Sequence, residues 1–196
     1  MELRDLSLVF LVMFAGLAFF DGIILHLWKF KLYKYNDTIY EHKLHTYRAI
    51  LFPVVLVGLF LLDLSGILYL LILCVVSIDL LIQVFDMWEE KDARSRFGGL
   101  SSVEYILHVT LTSLHSSMLL LYILSKPLNS MSFQITEISM TNGIQHFVAT
   151  NILPGAILVA ILHIVLCHPY FREPNVSTML NTIESSSELM LNENPN

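Results

Sequence analysis

Five stretches of this chain run for about twenty residues with almost no charge, and they limit what it can fold into. A hydrocarbon core of ~30 Å is crossed by roughly 20 apolar residues as helix. No water serves the backbone there, so a segment of that length closes its own hydrogen bonds as a helix. Three stretches cover residues 6–28, 67–88 and 145–167; another follows Thr38 and ends near 62, and another opens at Ser101 and ends near 123. Charged residues are 14% of the chain, against about 25% in soluble domains. The expectation is an all-α integral membrane bundle of five transmembrane helices over residues 1–170. A cytoplasmic tail, 171–196, is rich in Ser, Asn and Glu and should be disordered.

Local signals punctuate the spans. Thr38-x-x-Glu41 and Ser101-x-x-Glu104 have the spacing of capping boxes that open the second and fourth helices. Pro53 should kink the second. Asp63-Leu-Ser-Gly66 reads as a tight turn, and Gly98-Gly99 as a break. The charged run Glu89-Glu90-Lys91-Asp92 should end the third helix, and residues 125–143 form the longest connector. The first stretch lacks a basic n-region and a small-residue cleavage site, so it reads as a retained helix. Cys74 and Cys167 have no CxxC neighbour, which excludes a disulfide framework or zinc ribbon. No face gathers the basic residues that nucleic acid requires, and nothing fixes an oligomeric state. Lys29, Lys31, Lys34, Lys43, Arg48, Lys91, Arg94, Arg96 and Arg172 fall on one side of the spans, and only Arg4 and Lys126 on the other. That bias places the N-terminus outside and the C-terminus in the cytoplasm.

With this topology nearly all the intramembrane ionisable residues gather at the cytoplasmic end. Such groups cost several kcal/mol each in a bilayer and face the bundle interior with a partner. Glu41, His45 and Arg48 share one face of the second helix, as do Asp79, Gln83, Asp86 and Glu90 on the third and Glu104, His108 and His115 on the fourth. The first adds Asp21 and His26, and the fifth His163 and His168. Carboxylates and imidazoles on facing helices are how di-metal sites are built in bundle cores. Mixed nitrogen and oxygen donors suit iron, manganese or zinc. The soluble di-iron bundles use Glu-x-x-His, whereas here the pairs are one residue longer.

Structural roles compete with this reading. Capping alone accounts for Glu41 and Glu104. His42 and His168 should be solvated near the headgroups. Residues 89–96, Arg94 and Arg96 included, should be a wet loop with surface ion pairs, and His115 and His146 interior hydrogen-bonded residues. Asp86 has no basic residue within a turn on its own helix and should lack a cationic partner unless Arg48 reaches an acid.

The runs Asp21-Gly-Ile-Ile-Leu-His26, Glu41-His-Lys-Leu-His-Thr-Tyr-Arg48 and Gly98-Gly-Leu-Ser-Ser-Val-Glu-Tyr105, with His108 beyond, resemble a family of bacterial polytopic membrane proteins over about residues 15–110. The resemblance implies a bacterial inner membrane and no particular activity. A looser likeness is to membrane fatty-acid desaturases and hydroxylases, which hold two metals with histidines at the cytoplasmic helix ends. It lies in ligand placement, since the HxxxH and HxxHH boxes are absent and Glu41-His42-x-x-His45 is the nearest run.

The expectation is a metal-dependent membrane enzyme, of di-iron oxidase or hydroxylase type, acting on a lipid or apolar substrate at the cytoplasmic face. His26, Glu41, His45, Asp86, Glu104 and His108 would be metal ligands. Asp21 and Asp79 would orient imidazoles, and Arg48 would hold an anionic headgroup or an acid. A zinc-dependent lipid hydrolase is the nearest variant; haem would leave the carboxylates unexplained. A non-enzymatic proton or metal relay, transporter or assembly factor is the rival from another class.

Overall fold

A computed structural model describes residues 2–134 and 138–174. It contains five helices long and apolar enough to cross a membrane, and the described residues form no β-strand. The chain is a multi-pass membrane protein. The helices are α1 (Leu3–Lys29), α2 (Ile39–Leu61), α3 (Gly66–Ala93), α4 (Ser102–Ser125) and α5 (Gly143–Leu166). α1 packs along α4, and α2 lies between α3 and α5.

Two helices change pitch on the way. α1 passes from α to π geometry over Phe20–Lys29, and α2 does so over Leu56–Leu61, just beyond Pro53. A π turn closes hydrogen bonds from i to i+5 and is common at functional sites. In α1 it is the turn that carries Asp21 and His26.

The buried face of α3 divides the bundle into two halves. Tyr69, Ile72 and Val76 come first, then Asp79, Gln83, Asp86 and Glu90, all on one stripe. The apolar half is filled by Leu11, Leu56, Leu59, Phe60 and Met118 around Tyr69. Gly58 lets α2 close on α3 there: a Cβ at that position would lie 2.5 Å from Ile72 Cγ1.

The connector after α4 covers the α2–α3 turn at the apolar end. Asp63 N donates to Ser139 O over 2.8 Å and Thr141 N to Leu61 O over 2.9 Å. Lys126 Nζ donates to Leu64 O over 2.9 Å and meets Asp63, which Arg4 also approaches. The two basic residues assigned to one side of the spans therefore sit at one end of the bundle.

Two local expectations are corrected. The third helix does not end at residue 88 but runs through the charged run to Ala93. The Thr38 capping box does not form, because the Thr38 hydroxyl donates back to Leu32 O over 2.5 Å. The Ser101 box does cap α4, with Glu104 N donating to Ser101 Oγ. Of the tail expected over 171–196, residues 175–196 lie outside the described residues. Just before them, Glu173 N donates to Lys34 O over 2.8 Å, which ties the end of the described chain to the first loop.

Candidate functional site

The polar half of the interior is organised around Arg94, which is fully buried. Its Nε donates to Glu104 Oε1 over 2.8 Å, its Nη1 to Glu41 Oε2 over 2.7 Å, and its Nη2 lies 2.9 Å from His26 Nε2. The guanidinium also covers the Phe30 ring at 4.6 Å. Burial alone would lower the Arg94 pKa, yet the two carboxylates outweigh it and raise it further. One side chain thus joins α1, α2 and α4 to the end of α3. This corrects the expectation that Arg94 sits in a wet loop; Arg96, by contrast, makes the expected exposed ion pair with Asp37.

Further into the membrane lies a ring of carboxylates and imidazoles. His45 Nε2 is 3.4 Å from Asp86 Oδ1 and 3.7 Å from Glu41 Oε1. Neither of those buried oxygens has a hydrogen-bond partner. His108 Nε2 meets Asp21 Oδ1 at 3.0 Å, and its Nδ1 faces Glu90 Oε1. His26 stands against His45 with ring centroids 4.0 Å apart, and its Nε2 is 3.5 Å from Asp21. A cavity of about 30 Å³ lies among Asp21, Glu41, His45, Asp86, Glu90 and His108.

The sequence-derived candidates fare unequally. His26, Glu41, His45, Asp86 and His108 come together. Glu104 does not join them, because Arg94 takes one of its oxygens and the Ser101 hydroxyl donates to the other over 2.8 Å. Asp21 and Asp79 each meet an imidazole, Asp79 at 3.3 Å from His115 Nε2. Arg48 Nη1 donates to Asp86 Oδ2 over 3.0 Å, so Asp86 does have a cationic partner, supplied by α2. His115 is hydrogen-bonded as expected, its Nδ1 lying 2.8 Å from Gln83 Oε1. His146 is half-buried with Nδ1 unpartnered.

Glu90, not counted among the ligands, lines the cavity. The signal was present, since it continues the α3 stripe at i+4 from Asp86. His42 is a further correction: instead of being solvated it is fully buried and stacked on His163, with centroids 5.3 Å apart. His168 is exposed as expected.

Two donors bound to one ion at about 2.1 Å in tetrahedral geometry lie about 3.4 Å apart. The His45–Asp86 separation of 3.4 Å matches that spacing. Donor atoms of Asp21, His26 and His45 also lie within 4.8 Å of one another, although His26 Nε2 is engaged by Arg94. Charge bears on the same point: Asp21, Glu41, Asp79, Asp86, Glu90 and Glu104 face two arginines, Arg48 and Arg94, and the imidazoles of His26, His45, His108 and His115. Six buried carboxylates beside two arginines are strongly unfavourable unless further positive charge, on an imidazolium or a bound ion, compensates them.

Compared with known proteins, the chain matches no protein-family model, no curated protein and no solved structure.

Proposed function

We propose that this chain is a metal-dependent membrane enzyme of the oxidase or hydroxylase type, holding two iron ions and acting on a lipid or other apolar substrate. The observation that carries the reading is the small cavity, where buried carboxylate oxygens without hydrogen-bond partners stand beside imidazole nitrogens. Glu41, His45 and Asp86 would hold one ion; Asp21, Glu90 and His108 would hold the other. His26 supports the set, and Arg94 fixes Glu41 and His26. In hydroxylation one oxygen atom of dioxygen enters a C–H bond and the other leaves as water, with two electrons and two protons from an external donor. With zinc the same donors would instead activate water for hydrolysis of a lipid ester.

The rival relay draws on the polar chain that continues inward through Arg48, Asp79, His115 and Gln83. It ends against the apolar layer of Val76, Ile72 and Met118, which favours a one-sided site. Replacing His45 or His108 with alanine should lower bound metal about twofold, because each contributes a donor to one of two ions. His146→Ala should leave metal content unchanged. Equal metal in all three purified variants would refute the site.

We place the site at the cytoplasmic face on the basic-residue bias, and in a bacterial inner membrane on the family resemblance alone. Reporter fusions at Lys126 and after Arg172 should then report opposite sides, with the tail inside. A tail found outside reverses the orientation.

A further inference from the structure

A second, larger cavity of about 200 Å³ adjoins the ring, between α1, α2 and α5. An apolar cavity of ~150 Å³ accepts benzene, so this one accommodates a single hydrocarbon segment rather than the paired chains of a phospholipid. Phe14, Phe52, Leu111, Ile152 and Val159 supply apolar wall, and Asp21, His45, Arg48, Asp79, His115 and His163 the polar part. Most of these polar groups are engaged: Asp79 meets His115, which also bonds Gln83. Two atoms are not. Arg48 Nε is buried without a hydrogen-bond partner, Asp79 Oδ1 standing off at 3.9 Å. His163 Nδ1 is likewise unpartnered, on a residue only 2% exposed.

An arginine N–H only donates, so the complementary ligand atom is an acceptor oxygen. Asp79 and Asp86 already flank Arg48, and a further carboxylate would be repelled. A neutral oxygen fits. The cavity also reaches the outside of the bundle: Gly155 and Phe19 line it and are exposed, near the middle of α5 and on α1. Small residues (Ala15, Ala18, Gly22, Ala156) border it there.

We infer that this cavity binds a single-chain apolar molecule carrying a neutral carbonyl oxygen, which enters from the bilayer between α1 and α5 and is hydrogen-bonded by Arg48. This names the substrate class of the site proposed above and rests on that reading.

The test is photolabelling in proteoliposomes with three probes bearing the same diazirine chain: methyl palmitate, palmitic acid and a phosphatidylcholine. The methyl ester should label the α5 segment around Gly155. A Cβ at Gly155 meets nothing within 4 Å, so Gly155→Leu fills the cavity without a clash at that atom. It should lower ester labelling by roughly tenfold or more, the scale of effect that pocket-filling groups produce. Gly16→Leu, on the exposed face of α1, should keep it. Unchanged labelling of Gly155→Leu overturns the inference, as does acid or phosphatidylcholine labelling equal to that of the ester. Metal content measured on the same samples separates the two readings. A metal-free wild type with the expected labelling overturns the metal site and upholds the cavity. A metal-bound wild type whose labelling ignores Gly155→Leu does the reverse.

Discussion

Replacing Arg94 with methionine should leave little folded protein. The guanidinium is fully buried and serves Glu41, Glu104 and His26 at 2.7 to 2.9 Å. Methionine keeps much of the volume but strands two buried carboxylates. Removing one partner of a buried ion pair costs about 3–5 kcal/mol, and total stability is only about 5–15 kcal/mol. Arg94→Lys keeps the charge but not the fork that reaches three acceptors at once, so it should fall between the two. Thermal unfolding of the detergent-purified variants measures this. An Arg94→Met melting temperature equal to wild type would mean that the guanidinium does not hold these helices together.

Asp86→Asn should remove bound metal and with it the response to chelator. Asp86 gives one oxygen to Arg48 at 3.0 Å and turns the other, unpartnered, toward His45 at 3.4 Å. An amide retains the shape but loses the charge that holds a divalent ion. A metal present at a thousand times its Kd stabilises by about 4 kcal/mol. For a chain of this size each kcal/mol shifts the melting temperature by about 2–4 °C. Chelator should therefore lower the wild-type melting temperature by roughly 10 °C and leave the variant, already destabilised, unmoved. A chelator-insensitive wild type beside a fully stable Asp86→Asn would favour the relay.

The five spans were legible because the bilayer demands a length and polarity that few other environments impose. Most of the site was legible for a related reason: helical spacing put Glu41 with His45 and Asp79 with Asp86 on single faces. Arg94 was missed because the charged run was read as the end of α3. The period itself continued, since Arg94 lies four residues beyond Glu90 as Glu90 lies four beyond Asp86. The contact between Asp21 and His26 follows from a pitch change that no residue in the run announces. Five residues apart, they diverge on an α-helix and are brought round together by the π turn. Glu104 fell outside the ring because Ser101 and Arg94 take its two oxygens; the Ser101 pairing was legible as a capping box, whereas the Arg94 contact was not. Thr38 was misread because its hydroxyl had a nearer acceptor, in the preceding loop, than the helix it was expected to cap.

The central claim is that metal, rather than protonated imidazole alone, balances the buried carboxylates that Arg48 and Arg94 leave over. Metal analysis by mass spectrometry of the wild-type protein, purified without chelator from cells supplied with iron, zinc and manganese, tests it most directly. The account predicts about two divalent ions per chain, mainly iron, as in bundle-core di-metal sites. Folded protein carrying essentially none would contradict it.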